Sequence, residues 1–157
     1  MDKVYQLLLL AVTVGVIRRQ VRQMISIKHN ARAEQMVAKA CWWVRKNPEK
    51  WDQLRKFCNY LKDQGDVIQR GNIYELARFH GMNIKLASEF KRDHNLWSAL
   101  ARYLVMERPA LLSSIKFRTT PIDEVNLVEY WQDIVGDGHF KAHSLIEART
   151  IYEANRR

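Results

Sequence analysis

The feature that most constrains this chain is an apolar run near its start, Val4–Ile17. Its side chains have to be shielded from water, either by other protein or by lipid. The run is 14 residues long, and Arg18 and Arg19 follow it directly. A helix needs about 17–25 apolar residues to span a bilayer, so the length favours packing or self-association. We expect no cleaved secretory signal, because the first three residues carry no net charge and no small-residue cleavage site follows.

Two interpretations of this run stay open. In the first, it anchors the chain in a membrane, and the basic residues after it hold the rest on the cytoplasmic side. In the second, it is part of a long helix that self-associates or packs on the rest of the chain through a heptad seam, interrupted by Arg18. The residues assigned to this oligomerisation or membrane surface are Val4, Leu7, Leu8, Ala11 and Val14.

The whole chain is predicted to be mainly α-helical, with six or seven helices that include a long N-terminal one. Six glycines and three prolines in 157 residues leave few breaks, which favours long helices. Apolar residues recur on one face of 31–46. Asn47 and Pro48 have the side chains that begin a helix, and Gly65 is suited to end it.

The segment 72–118 has the order of elements of a winged-helix reader of DNA. Helical patterns cover Ile73–His80 and Asn95–Glu107, and a short strand or hairpin is predicted near 113–118. The connector Met82–His94 departs from that plan, because helix-turn-helix turns usually have about 3–4 residues.

The charge distribution favours a polyanionic partner, nucleic acid above all. Residues 1–118 hold 22 of the 26 lysines and arginines but only 10 of the 17 acidic residues. If Asn95–Glu107 is a recognition helix, a face opposite the core reads base edges, and basic residues around it contact phosphates. The predicted nucleic-acid-binding residues are Lys85, Lys91, Arg92, Asn95, Ser98, Arg102, Lys116 and Arg118.

Several short motifs in 47–118 resemble those of small phage and prophage proteins of uncharacterised function. They are Asn47-Pro48-Glu49, Phe57, Gly65, Phe90-Lys91, Asn95, Ala101-Arg102, Pro109 and Phe117-Arg118. The resemblance implies a phage or mobile-element origin and a winged-helix-like module, and it supplies no catalytic residue.

No constellation for catalysis or metal binding is recognised. Cys41 and Cys58 lack a C-x-x-C spacing, so buried free thiols are expected. His139, His143 and Glu147 are predicted to lie along one last helix, His139–Asn155, where all three cannot reach one ion. Another helix is predicted over Ile122–Val135. We expect no cofactor and no metal.

The sequence thus predicts three regions: an N-terminal helical region 1–46, a winged-helix-like module 47–118, and a C-terminal helical pair 119–157. The expected role is non-catalytic nucleic-acid binding in regulation, replication or host takeover. The alternative is a protein-interaction module, either an inhibitor of a host factor or a subunit of a larger assembly. In that case the N-terminal helix makes it oligomeric or membrane-associated. Either role is expected in the host cytoplasm or at the inner face of its membrane.

Overall fold

The protein is mainly helical, as predicted, in a computed structural model that describes residues 2–81 and 94–157. Six α-helices and two short 3-10 helices, with no strand, make up this described part. The α-helices are α1 (Asp2–Lys46), α2 (Pro48–Asp63), α3 (Arg70–Phe79), α4 (His94–Glu107), α5 (Leu127–Ile134) and α6 (Leu145–Asn155). The 3-10 helices are Pro109–Ser113 and Pro121–Glu124.

Helix α4 is the centre of the fold. Every residue from Ala99 to Met106 is buried. A helix that is apolar on all sides has to be surrounded, and α4 is enclosed by α1, by α6 and by the 3-10 helix Pro109–Ser113. The prediction that one side of this helix faces away from the core is therefore corrected over Ala99–Met106.

Helix α1 is a single helix of 45 residues with two different environments. Its C-terminal part places Ala33, Val37, Ala40 and Val44 in the core against α4 and α5. Its N-terminal part leaves the core, and its apolar side chains are exposed. By length and composition alone, this helix is sufficient to cross a membrane.

The winged-helix-like centre and the hairpin near 113–118 are not confirmed. The chain there forms the 3-10 helix Pro109–Ser113 and then continues to Arg118 without regular structure. A single backbone bond, from the Ile68 N–H to the Ser114 carbonyl at 2.8 Å, joins it to the turn before α3. Pro109 and the serines favour a tight turn here, and Ile115 and Phe117 turn towards the core without a partner strand.

The two C-terminal helices are shorter than predicted because side chains cap them at internal positions. Asn126 Oδ1 accepts the Glu129 N–H at 3.2 Å, so α5 begins at Leu127 rather than at Ile122. Ser144 Oγ accepts the Glu147 N–H at 3.1 Å, so α6 begins at Leu145 rather than at His139. In both cases a polar side chain satisfies a free N–H of the first turn.

The end of α2 follows the sequence prediction. Gly65 has a φ of +75°, a left-handed conformation that glycine adopts without steric cost. The next N–H, of Asp66, donates to the Leu61 carbonyl at 3.0 Å, which closes the helix end.

Among the described residues, one hydrophobic core extends from Ala33 to Ala148. The division into three regions stays a prediction. A buried chain of hydrogen bonds crosses this core. The Tyr103 hydroxyl donates to the Leu127 carbonyl at 2.7 Å, and the Cys41 thiol lies 3.2 Å from the same hydroxyl oxygen. Since the hydroxyl has one hydrogen, the thiol is the donor to Tyr103. These two hydrogen bonds link α1, α4 and α5.

Both cysteines are buried free thiols, as predicted. Burial raises the pKa of Cys41 to about 11, against the opposing effect of its bond to Tyr103, and raises the pKa of Cys58 to about 12. Because the thiolate is the reactive form, neither cysteine should react with a thiol reagent at neutral pH while the protein is folded.

We expect two thiols to appear only on unfolding, when the reagent is titrated with and without denaturant. A thiol that reacts at the rate of a free cysteine in the native protein would contradict this packing.

Candidate functional site

Four of the predicted nucleic-acid-binding residues line one groove of about 450 Å³. They are Ser98 and Arg102 from α4 and Lys116 and Arg118 from the segment after Ser113. Asn95 lines a neighbouring cleft of about 220 Å³ beside Arg32, and Ser98 borders both spaces. Lys85, Lys91 and Arg92 lie outside the described residues.

Arg102 is placed in the interior and not on the exposed face predicted for it. Its side chain is 2 % exposed. Its guanidinium binds both carboxylate oxygens of Asp123, at 2.7 and 3.1 Å. It also donates to the Ser98 carbonyl and hydroxyl at 2.9 and 2.8 Å. With these bonds in place the guanidinium cannot serve as a free reader of base edges.

The remaining bonds of Arg102 fix the edge of the groove. One nitrogen donates to the Arg118 carbonyl at 3.2 Å and to the Thr120 hydroxyl at 3.1 Å. The Phe117 ring lies 5.2 Å from the guanidinium carbon. Arg102 therefore acts as a positioning residue, because it holds the backbone from which Lys116 and Arg118 project.

Asp123 supplies the countercharge. Burial alone raises the pKa of this carboxyl, but the hydrogen bond from Arg102, the backbone bond from Thr120 and the positive charge of Arg102 outweigh it. The net result is a pKa below the usual 3.8. Asp123 stays ionised at neutral pH, so its negative charge balances that of Arg102. Arg102 therefore contributes little positive potential to the groove.

The positive rim of the groove comes from Lys116, Arg118 and Arg70. Lys116 and Arg118 are exposed, whereas Arg70 is half-buried at the start of α3. Among the described residues that line the groove, none is acidic. Arg70 was not among the predicted residues, because only the fold brings the start of α3 beside the segment after Ser113.

The predicted apolar surface is exposed along its whole length. Val4, Leu7, Leu8 and Val14 have exposed fractions of 64, 66, 61 and 40 %, and Ala11 is exposed as well. The opposite sides of the helix carry Leu9, Leu10, Val12 and Val16, which are equally open. In a helix with about 3.6 residues per turn, these positions cover every side, so the run is not amphipathic.

The histidines predicted along one last helix lie before it instead. Glu147 accepts the backbone N–H of His143 at 3.0 Å, which occupies its carboxylate in capping α6. In the described ranges, no group of three or more potential metal-ligating side chains comes together. No family model, curated protein or solved structure matches the chain. The resemblance to phage proteins stays a prediction.

The Arg102–Asp123 pair gives a prediction for stability. In Asp123→Asn the guanidinium loses its charged partner inside the protein, and breaking a buried pair from one side costs about 3–5 kcal/mol. We expect a correspondingly lower midpoint of urea unfolding at pH 7. The matched control Asp52→Asn removes a carboxylate that binds Arg55 and Lys56 at the surface, and its effect should be much smaller.

The effect should also depend on pH. The pKa of Asp123 is lowered in the folded protein. The contribution of this carboxylate to the free energy of unfolding is therefore present at neutral pH and is lost as the pH falls through that lowered value. The unfolding midpoints of wild type and Asp123→Asn should therefore converge in acid. Equal midpoints at pH 7 would show that the pair does not hold the groove together.

Proposed function

We propose that this protein is a non-catalytic, membrane-associated helical module that inserts the N-terminal part of α1 into lipid. The observation that carries the proposal is the exposure of the whole run Val4–Ile17 on all sides of one helix. Exposed apolar patches of this extent mark interaction or membrane surfaces, because monomeric soluble proteins rarely leave them in water. The core begins only at Ala33, so nothing in the described chain covers the run.

Insertion fits the run better than a position flat on the surface. A helix that lies in the interface has a polar side, and this run has apolar residues on every side. Fourteen residues of helix are about 21 Å long, shorter than the roughly 30 Å hydrocarbon core. Thinning of the bilayer and extension of Lys3 and Arg18 towards the headgroups accommodate such a mismatch.

The basic residues give the insertion a direction. Arg18, Arg19 and Arg22 follow the run and are exposed, on the side of the folded core. Basic flanks stay on the cytoplasmic side. The proposal therefore puts the helical core in the cytoplasm, at the inner face of the membrane.

A charge placed in the run tests this proposal. Leu9→Arg adds a charge near its middle, where an arginine costs about 2.5–3.5 kcal/mol, and we expect vesicle binding to fall on the order of a hundredfold. Flotation of the full chain with phosphatidylcholine and phosphatidylglycerol vesicles measures this. Gln23→Arg is the matched control, since it adds the same charge outside the run and should float like wild type. Equal flotation of the two variants would refute insertion.

A second candidate function is binding of nucleic acid in the groove. Two predicted residues, Lys116 and Arg118, stand with Arg70 on the rim of a groove whose described lining has no acidic side chain. The half-buried ring of Phe117 also lines this groove. An aromatic ring beside cationic side chains suits an unpaired base and its phosphates. This supports contact with the backbone of a single strand rather than reading of a duplex by α4.

Charge reversal tests the groove. The double variant Lys116→Glu, Arg118→Glu should weaken binding of a fluorescent single strand and lower the slope of log K against log salt by about two. The control Lys46→Glu, Lys141→Glu changes the net charge equally at exposed positions outside the groove, and should keep most of the affinity. If both variants lose affinity alike, binding follows net charge and not the groove.

A further inference from the structure

The apolar surface of α1 does not end where the all-apolar run ends. Past Arg18 and Arg19, apolar side chains continue on one side only, where Val21, Met24 and Ile25 have exposed fractions of 46, 59 and 50 %. The other sides of this stretch carry Arg19, Arg22 and Gln23. Lipid does not account for this stripe, because it follows the arginines that mark the end of the hydrocarbon zone.

The stripe continues one face of the run at heptad spacing. Counted from Leu7 as position a, the a and d positions are Leu7, Leu10, Val14, Ile17, Val21 and Met24, which we call the seam. This register places Arg18 at the flanking e position, unlike the register from Val4, in which Arg18 interrupts the seam. Gln6, Thr13 and Gln20 recur seven residues apart along the other flank. A strict seven-residue repeat is typical of helices that wind around a partner helix.

The seam faces away from the folded core. One core side chain of α1, Cys41, falls at the flanking position g of the same register, and the other four, Ala33, Val37, Ala40 and Val44, fall at the outer positions c and f. With about 3.6 residues per turn, these positions lie roughly 150° around the helix from the seam. The same register leads to Trp42, which is 45 % exposed although Arg45 covers one face of its ring, at 4.9 Å from the ring centre. Between Leu7 and Met24, a partner helix on the seam therefore meets α1 without meeting the core.

We propose that α1 pairs in parallel, along the seam, with α1 of a second copy of this chain. Two of the three a positions are β-branched valines, and two of the three d residues, Leu10 and Met24, are not β-branched, a pattern that favours two strands. The third d residue is the β-branched Ile17. The polar Lys28 and Gln35 take the next a positions by sequence, and polar residues there fix the register of a pair.

Charge supports a second copy in the same direction. In a parallel pair each g residue faces the e residue five positions later in the partner. These pairs include Thr13 with Arg18 and Glu34 with Lys39, so no g–e pair brings like charges together and one pair is opposite in sign. The two copies of Lys28 face each other at an a position, which fixes the register at a cost in stability. A common direction of insertion also requires the copies to be parallel. The pairing goes beyond membrane association, since Val21 and Met24 lie outside the inserted run.

Cysteine cross-linking of the full chain tests the pairing. Val21→Cys and Met24→Cys place a thiol on the seam, whereas Arg19→Cys and Gln23→Cys place one on the outer side of the same helix turns. All four side chains are exposed, so the substitutions leave the core intact. The wild-type chain is the blank, because its two thiols are buried.

We expect the seam variants to form disulfide-linked dimers at least about tenfold faster than the outer variants, since pairing holds their thiols at a millimolar effective concentration. The measurement is a non-reducing gel after mild oxidation, in detergent micelles and in vesicles. Equal rates at positions 19, 21, 23 and 24, or cross-linking at none of them, would overturn the proposal. An antiparallel pair would also contradict the proposal. It separates the two copies of position 21, so Val21→Cys would not cross-link.

The outcome is independent of the membrane proposal. Leu9 lies at an outer position of the register, so Leu9→Arg leaves the seam unchanged while it opposes insertion. If the seam variants cross-link faster than the outer variants but the protein does not float with vesicles, only the insertion proposal is refuted. If the protein floats but does not cross-link at positions 21 and 24, only the pairing proposal is refuted.

Discussion

The complete burial of Ala99–Met106 determines how the other helices are arranged. Because no side of α4 is left for solvent along this stretch, α1, α6 and the 3-10 helix Pro109–Ser113 have to surround it. The one strongly polar side chain in the stretch, Arg102, is tolerated since Asp123 and Ser98 satisfy its guanidinium. Buried charges are stable only when paired in this way.

This arrangement separates the two surfaces on which function is proposed. The basic groove belongs to the core, and its rim is positioned from below by Arg102. The exposed part of α1 lies outside the core and depends on it only through the continuity of the helix. Substitutions at Lys116 or Leu9 therefore alter one surface without altering the packing beneath the other.

Sequence patterns predicted the helices better than the site. Three local signals are sufficient to predict helices and their ends: the apolar face of 31–46, the helix start at Pro48 and the glycine turn at Gly65. The caps at Asn126 and Ser144 were also visible in the sequence, since each precedes an acidic residue by three positions, but the apolar periodicity across them pointed to longer helices. Arg102 was misplaced for a different reason: a helical wheel cannot distinguish a solvent-facing arginine from one that meets a carboxylate 21 residues away. Arg70 joined the groove only through tertiary packing.

The continuity of α1 has a mechanical consequence. No proline interrupts its 45 residues, so the helix is a stiff rod of about 68 Å with the core fixed to its far end. A change of tilt in the apolar part therefore moves the core with it, since both belong to one continuous helix. In the proposed membrane-bound protein, the angle at which the first five turns are held sets the distance and direction of the basic groove from the bilayer.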